Sequence, residues 1–242
     1  MPVVLSRSAC LLALLSAVVA ILAGFGSRVG WWHFRSGFQL LTWAAYGGGG
    51  SAIIGLLGCL AALKRAQWRS AMLSLVGLVI GLLVFGIPWQ QKRVAQQVPA
   101  IHDISTDTED PPRFVDVLPL RKDATNSADY GGPEIAAQQH AAYPDIQPLT
   151  LALPSKQAFT RALQAADAMG WAILAANPAD GRIEATDTTF WFGFKDDVVV
   201  RVQALGDGSR VDVRSVSRVG KSDVGTNAQR IRAYLRRLSR AG

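Results

Sequence analysis

The densest concentration of chemically useful side chains in this 242-residue sequence is RSVSRVGKSDVGTNAQR, residues 214–230. Arg214, Arg218, Lys221 and Arg230 stand close to Asn227 and to an expected helix start at Ser222. A helix opening there, capped by Ser222 or Asp223, points unpaired backbone N–H groups out of its first turn. Cations beside such a terminus suit an anion such as a phosphate or a carboxylate. Arg214, Arg218, Lys221, Asn227 and Arg230 therefore form a candidate anion site. The same residues also fit a purely structural network. In that reading Asp223 caps the helix, Arg214 and Arg218 pair with Asp196, Asp197 or Asp212, and Gly220 and Gly225 permit the turn. The glycines do not make a nucleotide loop, because neither GxxxxGK[ST] nor GxGxxG follows a strand.

Carboxylates supply the second set of candidates. Asp196-Asp197 with His102, Asp103 or Asp107 offers the oxygen-rich environment that Ca²⁺ or Mg²⁺ prefers. Adjacent aspartates more commonly form a turn, so no metal ligand and no cofactor is assigned. From residue 100 onward the only histidines are His102 and His140, and no cysteine occurs there. Nucleophilic triads, HExxH sites and cysteine-based metal sites are thereby excluded. A carboxylate-only mechanism on Asp196, Asp197 or Asp223 is the enzymatic alternative, and the residue types lean away from catalysis.

The elements that must position these groups follow from periodicity. Leu149, Leu151 and Leu153 alternate as a strand, and Pro154-Ser155 opens a helix with Phe159, Ala162, Leu163, Ala166 and Met169 on one face. Trp171–Ala176 reads as a second strand and Ile183–Phe194 as a third, with Asp196-Asp197 as a tight turn. VVVRVQAL and RVDVRSV follow as strands joined at Gly206-Asp207-Gly208. Arg210, Asp212 and Arg214 share one face of their strand, as do Arg201 and Gln203 of the preceding one. A final helix carries the apolar stripe Val224, Ala228, Ile231, Leu235 and Leu238. The order β-α-β-β-β-β-α implies an α+β domain, an antiparallel sheet with two helices on one face.

The N-terminal third has a different physical character. All 18 acidic residues lie beyond position 100, whereas the first 93 residues hold eight charges, all basic. Uncharged stretches at Ser8–Ser27, Ser36–Leu63 and Ser70–Gln91 each reach the ~20 residues a spanning helix needs. Transmembrane helices are expected at about 8–27, 38–63 and 70–90, with Trp31, Trp32, Trp43, Trp68 and Trp89 at their ends as interfacial anchors. The first run also fits a cleaved signal peptide. The basic hairpin KRAQWR between the second and third runs favours a cytoplasmic position. Three crossings then put the C-terminus outside, although basic residues number four on each side. Residues 92–148 hold seven of the eleven prolines and read as a connector, leaving 149–242 as the soluble domain.

FGFKDDVVVRV and VDVRSVSRVGKSDVGTNAQRI together resemble a bacterial family, domain of unknown function 1499, specifically its membrane-anchored branch. HDISTDTEDPP and YPDIQPL are similar to the connector of that branch. The resemblance covers about residues 100–240. The shorter branch carries a cysteine-containing segment that this sequence lacks, so no thiol chemistry is implied. The family has no established activity, and the resemblance implies an architecture only.

The domain 149–242 carries 14 Lys and Arg against nine Asp and Glu. That excess favours phosphate-bearing surfaces, and Arg230, Arg232, Arg236, Arg237 and Arg240 are expected around the polar side of the last helix. The expectation is a multi-pass protein of the bacterial inner membrane whose periplasmic domain binds an anionic lipid, another envelope component or a protein partner without catalysis. Nucleic acid is not an expected partner.

Overall fold

The computed structural model describes residues 1–240, in two compact units. The first comprises residues 1–94 and the segment Phe190–Gly193. Its helices are α1 (Pro2–Arg28), α2 (Phe34–Leu63) and α3 (Trp68–Gln97). All three are long and apolar enough to cross a membrane. α2 and α3 are joined by only four residues, so they pack as a hairpin. Leu, Ile, Val and Trp side chains cover the outside of the bundle while Ala, Ser and Gly lie inside. That inversion is expected where lipid replaces water and helices associate by close backbone packing. Gly81 shows the requirement directly, since a Cβ there would lie 2.5 Å from the Gly48 carbonyl oxygen. The buried Ser51 hydroxyl stands 2.9 Å from both the Ala9 and the Gly77 carbonyl oxygens, which links α2 to α1 and α3.

Phe190, Phe192 and Phe194 do not alternate along a strand. The third strand stops at Thr188, and Phe190–Gly193 clusters with the helices of the first unit. There the Trp191 indole N–H donates to the Ile21 carbonyl at 3.2 Å and Phe192 meets the Phe38 ring.

The second unit is an antiparallel sheet flanked by helices. Its elements are β1 (Asp103–Ser105), α4 (Gly132–Ala142), β2 (Leu149–Leu151), α5 (Ser155–Ala168), β3 (Ala172–Asn177), β4 (Arg182–Thr188), β5 (Lys195–Leu205), β6 (Gly208–Ser217) and α6 (Thr226–Arg240). The strand order is β1-β6-β5-β4-β3, and β2 pairs with β6 alongside β1. From β2 to α6 the elements run β-α-β-β-β-β-α, and the architecture is α+β.

α5 and α6 cover one face. Their Phe159, Ala162, Ala166, Ile231, Tyr234 and Leu238 meet Ile183, Ala185, Val198, Val200, Val211 and Val213 in the main core. Trp171 stacks on Tyr234, whose hydroxyl donates to the Ala162 carbonyl at 2.9 Å, satisfying a buried phenol. The other face is covered by the segment that follows β1, where Phe114 and Val117 pack on Val199 and Val216.

Residues 92–148 are thus more ordered than their prolines suggest. Pro133 stands in the first turn of α4, where the missing N–H costs nothing. Asp103–Ser105 adds a strand to the β6 edge, in register with Val216, Ser215 and Arg214. Asp196 and Asp197 are likewise part of β5 and not a turn, paired with Ser217 and Val216. The bend comes earlier, where the Thr189 N–H donates to the Phe194 carbonyl.

Candidate functional site

Strand geometry sorts the charged residues of the sheet onto two faces. On β6, Val211 and Val213 enter the helix-side core, so Arg210, Asp212 and Arg214 point to the opposite face. On β5 the same alternation sends Asp196 toward the helices and Asp197 away from them. The two neighbouring aspartates therefore serve different environments and cannot close on one ion.

Asp197 is fully buried. Its carboxylate accepts from Arg121, from Arg218 at 2.8 and 2.9 Å, and from the Thr186 hydroxyl at 2.7 Å. Arg218 also donates to the Leu120 carbonyl at 2.9 Å. Asp103 accepts two hydrogen bonds from Arg214, at 2.9 and 2.7 Å. Arg214 gives further hydrogen bonds to the Pro112 and Ala128 carbonyls and lies between the Phe114 and Tyr130 rings. Burial, with Asp103 adding to it, pushes the Tyr130 phenol up to about 12.

Further along this face, Asp107 and Asp212 each receive hydrogen bonds from both Arg201 and Arg210, and Arg201 reaches Asp110 as well. Glu184, with no exposed surface, accepts the backbone N–H groups of Val115, Asp116 and Val117. Arg182 Nε stands 2.9 Å from it as an ion pair without hydrogen-bond alignment. Glu184 thereby pins the chain that covers this face.

The helix-side network is centred on Arg230, buried at the start of α6. It donates to Asp187 at 2.7 Å, to Asp196 at 2.6 Å and to the Ser215 hydroxyl at 3.1 Å. Asn227 takes the Ser215 hydroxyl on its carbonyl oxygen, and its amide donates to the His102 carbonyl and the Ser217 hydroxyl.

α6 is entered through a turn in which Val224 has φ +54° and Gly225 φ +79°. Such a backbone is costly for a β-branched residue and needs outside support. Asp223 supplies it, accepting the Gly225 and Asn227 N–H groups, each at 2.8 Å. Burial nonetheless holds the Asp223 carboxyl above its ordinary range, against the lowering effect of those two N–H groups. Lys221 is exposed, with its carbonyl 3.3 Å from His102 Nδ1.

Of the five residues marked for an anion, the fold brings Asn227 and Arg230 into contact and places Arg214 and Arg218 in separate ion pairs on the opposite face. Among the described residues no three His, Cys, Asp or Glu side chains are grouped to hold a metal ion. Sequence reasoning weighed Asp103 only as a metal ligand and not as the partner of Arg214, and it missed Arg121, Glu184 and Asp187. The available signal for the Asp103 pairing was the acidic run HDISTDTED, which offers carboxylates to the arginine stripe of β5 and β6.

Acid should loosen this network. Burial works to raise the Asp107 carboxyl, but the Asp110 and Glu109 N–H groups and the Arg210 and Arg201 charges outweigh it, so the carboxyl lies below its ordinary range. Asp145 is lowered chiefly by its hydrogen bonds from Arg232. Groups that bind protons more weakly when folded contribute stability above the unfolded value, about 4, and lose it as pH falls toward the folded one. Melting temperature against pH should therefore drop below about pH 4, and Asp107→Asn should flatten that limb. An unchanged limb in the variant would assign the acid loss elsewhere.

These features define a class: an α+β domain, joined to helices able to span a membrane, whose polar sheet face is closed by ion pairs. The chain belongs to the family described as protein of unknown function (DUF1499), whose model matches residues 103–238. The match begins at the first residue of β1 and ends in the last turn of α6. No curated protein matches the chain.

Proposed function

We propose that the chain holds a non-catalytic binding domain at the outer face of the bacterial inner membrane, periplasmic in orientation, where it engages an anionic envelope component or a protein partner. The observation that carries the non-catalytic reading is the state of the carboxylates. Asp196 is held by Arg230 and Asp197 by Arg121 and Arg218, while Asp223 is spent on α6. A hydrolase built on these residues would need a carboxylate free to take a proton or a metal ion. Occupation of Arg214, Arg218 and Arg230 supports their structural reading as well.

Among the cations available to a ligand are Lys221 and the exposed Arg236, Arg237 and Arg240 on α6, which carry no ion pair among the described residues. The basic loop after α2, with Lys64 and Arg65, supports the orientation. Alkaline phosphatase fused after Gly242 should be active in cells. The full chain in phosphatidylcholine nanodiscs should bind soluble polyphosphate, and Arg236→Gln with Arg237→Gln should weaken that binding. Metal-dependent phosphoester turnover abolished by Asp196→Asn would establish the hydrolase instead.

A further inference from the structure

The first unit contains a cavity of about 650 Å³ at the end of the bundle where α1 and α3 begin. Arg7, Gln67, Trp68, Arg69 and Ser70 line it. Two features make this more than a gap between helix ends. No acidic residue precedes Asp103 in the sequence, so the membrane unit contains no carboxylate to neutralise Arg7 or Arg69. Neither arginine makes an ion pair or a side-chain hydrogen bond among the described residues. At the opposite end Arg28 donates to the Phe190 carbonyl, and Arg93 lies 5.5 Å from the Trp89 ring centroid.

Two guanidinium groups on one cavity favour a ligand with several anionic oxygens, because each can donate two parallel hydrogen bonds. The positive ends of the two helix dipoles act in the same direction. Trp68, 69 % exposed at the start of α3, is the amphipathic side chain that seats at the headgroup level. An anion meeting the chain at that depth is a lipid phosphate.

We infer that this cavity is a headgroup site for an anionic glycerophospholipid, held through its phosphate by Arg7 and Arg69. The site lies wholly within the membrane unit, so it is independent of any ligand of the C-terminal domain. The probe is phosphatidylglycerol, added to the full chain in neutral detergent and followed by native mass spectrometry, with phosphatidylcholine as the comparison. The unmodified chain should retain phosphatidylglycerol in preference to phosphatidylcholine. Arg7→Gln with Arg69→Gln should weaken that retention about 30-fold, the effect of two cations at a lipid surface, whereas Arg93→Gln should not. Equal retention of the two lipids by the unmodified chain overturns the site without recourse to any variant. Unchanged retention in a folded double variant does the same. Displacement of the lipid by millimolar inorganic phosphate would show a site for free phosphate, and would overturn the lipid assignment.

Discussion

Arg214→Ala should lower the unfolding free energy of the C-terminal domain by about 3–5 kcal/mol, the usual cost of removing one partner from a buried ion pair. Arg214 is 2 % exposed and Asp103 5 %, and the pair joins β6 to β1, the first strand of the domain. Truncation strands the Asp103 carboxylate and empties the space between Phe114 and Tyr130. It also frees the Pro112 and Ala128 carbonyls, through which Arg214 holds the covering chain. Urea titration of the full chain in detergent, followed by hydrogen-exchange protection of the β5 and β6 amides, measures the loss. Arg214→Leu with Asp103→Leu should recover part of it, because the pair then leaves no unpaired charge behind. A loss below about 1 kcal/mol for Arg214→Ala would mean that the pair is bridged to solvent and is worth no more than a surface contact.

Asp197→Ala should cost a similar amount, about 3–5 kcal/mol, for the converse reason. It leaves two guanidinium groups, Arg121 and Arg218, facing each other without the carboxylate that separates them, and it leaves the Thr186 hydroxyl without its acceptor. Arg121 lies in the 3₁₀ turn Leu118–Arg121 of the covering segment, so that segment should detach first. Hydrogen exchange should show loss of protection at Leu120 and Ala124, whose N–H groups close this turn, before protection is lost in β5. Asp197→Asn keeps an acceptor for Arg218 and should cost less. If Asp197→Ala were as stable as the parent chain while losing a measurable activity, the carboxylate would be a functional group and the network reading would fail.

The sequence offered Asp197 as one possible partner of Arg218, but it revealed neither Asp103 as the partner of Arg214 nor Arg121 as the second partner of Asp197. The arginine stripe of β6 was legible because strand side chains alternate, and Val211 and Val213 mark the core side. The capping role of Asp223 was legible because cap geometry is local, involving N–H groups only two and four residues ahead. α4 was masked because prolines and glycines dominate its surroundings and its apolar periodicity is weak. Asp196-Asp197 resembled a turn because buried aspartates are rare unless paired, and their partners lie 34 residues away in Arg230 and 76 away in Arg121.

The sequence by itself determined the three membrane-length helices. A run of more than 90 residues without a carboxylate, in three apolar blocks, leaves few other ways to satisfy the backbone. It also determined the order of elements from β2 to α6, since hydrophobic period is a property of neighbouring residues. Which carboxylate neutralises which arginine was decided only by the tertiary structure. Asp103 and Arg214 are 111 positions apart, and Glu184 meets the Val115 N–H from 69 away. Such pairs exist only once β1 has added to the edge of β6 and the segment behind it has closed over the sheet. The physical reason is that electrostatic pairing depends on distance in space, while the patterns a sequence displays report distance along the chain.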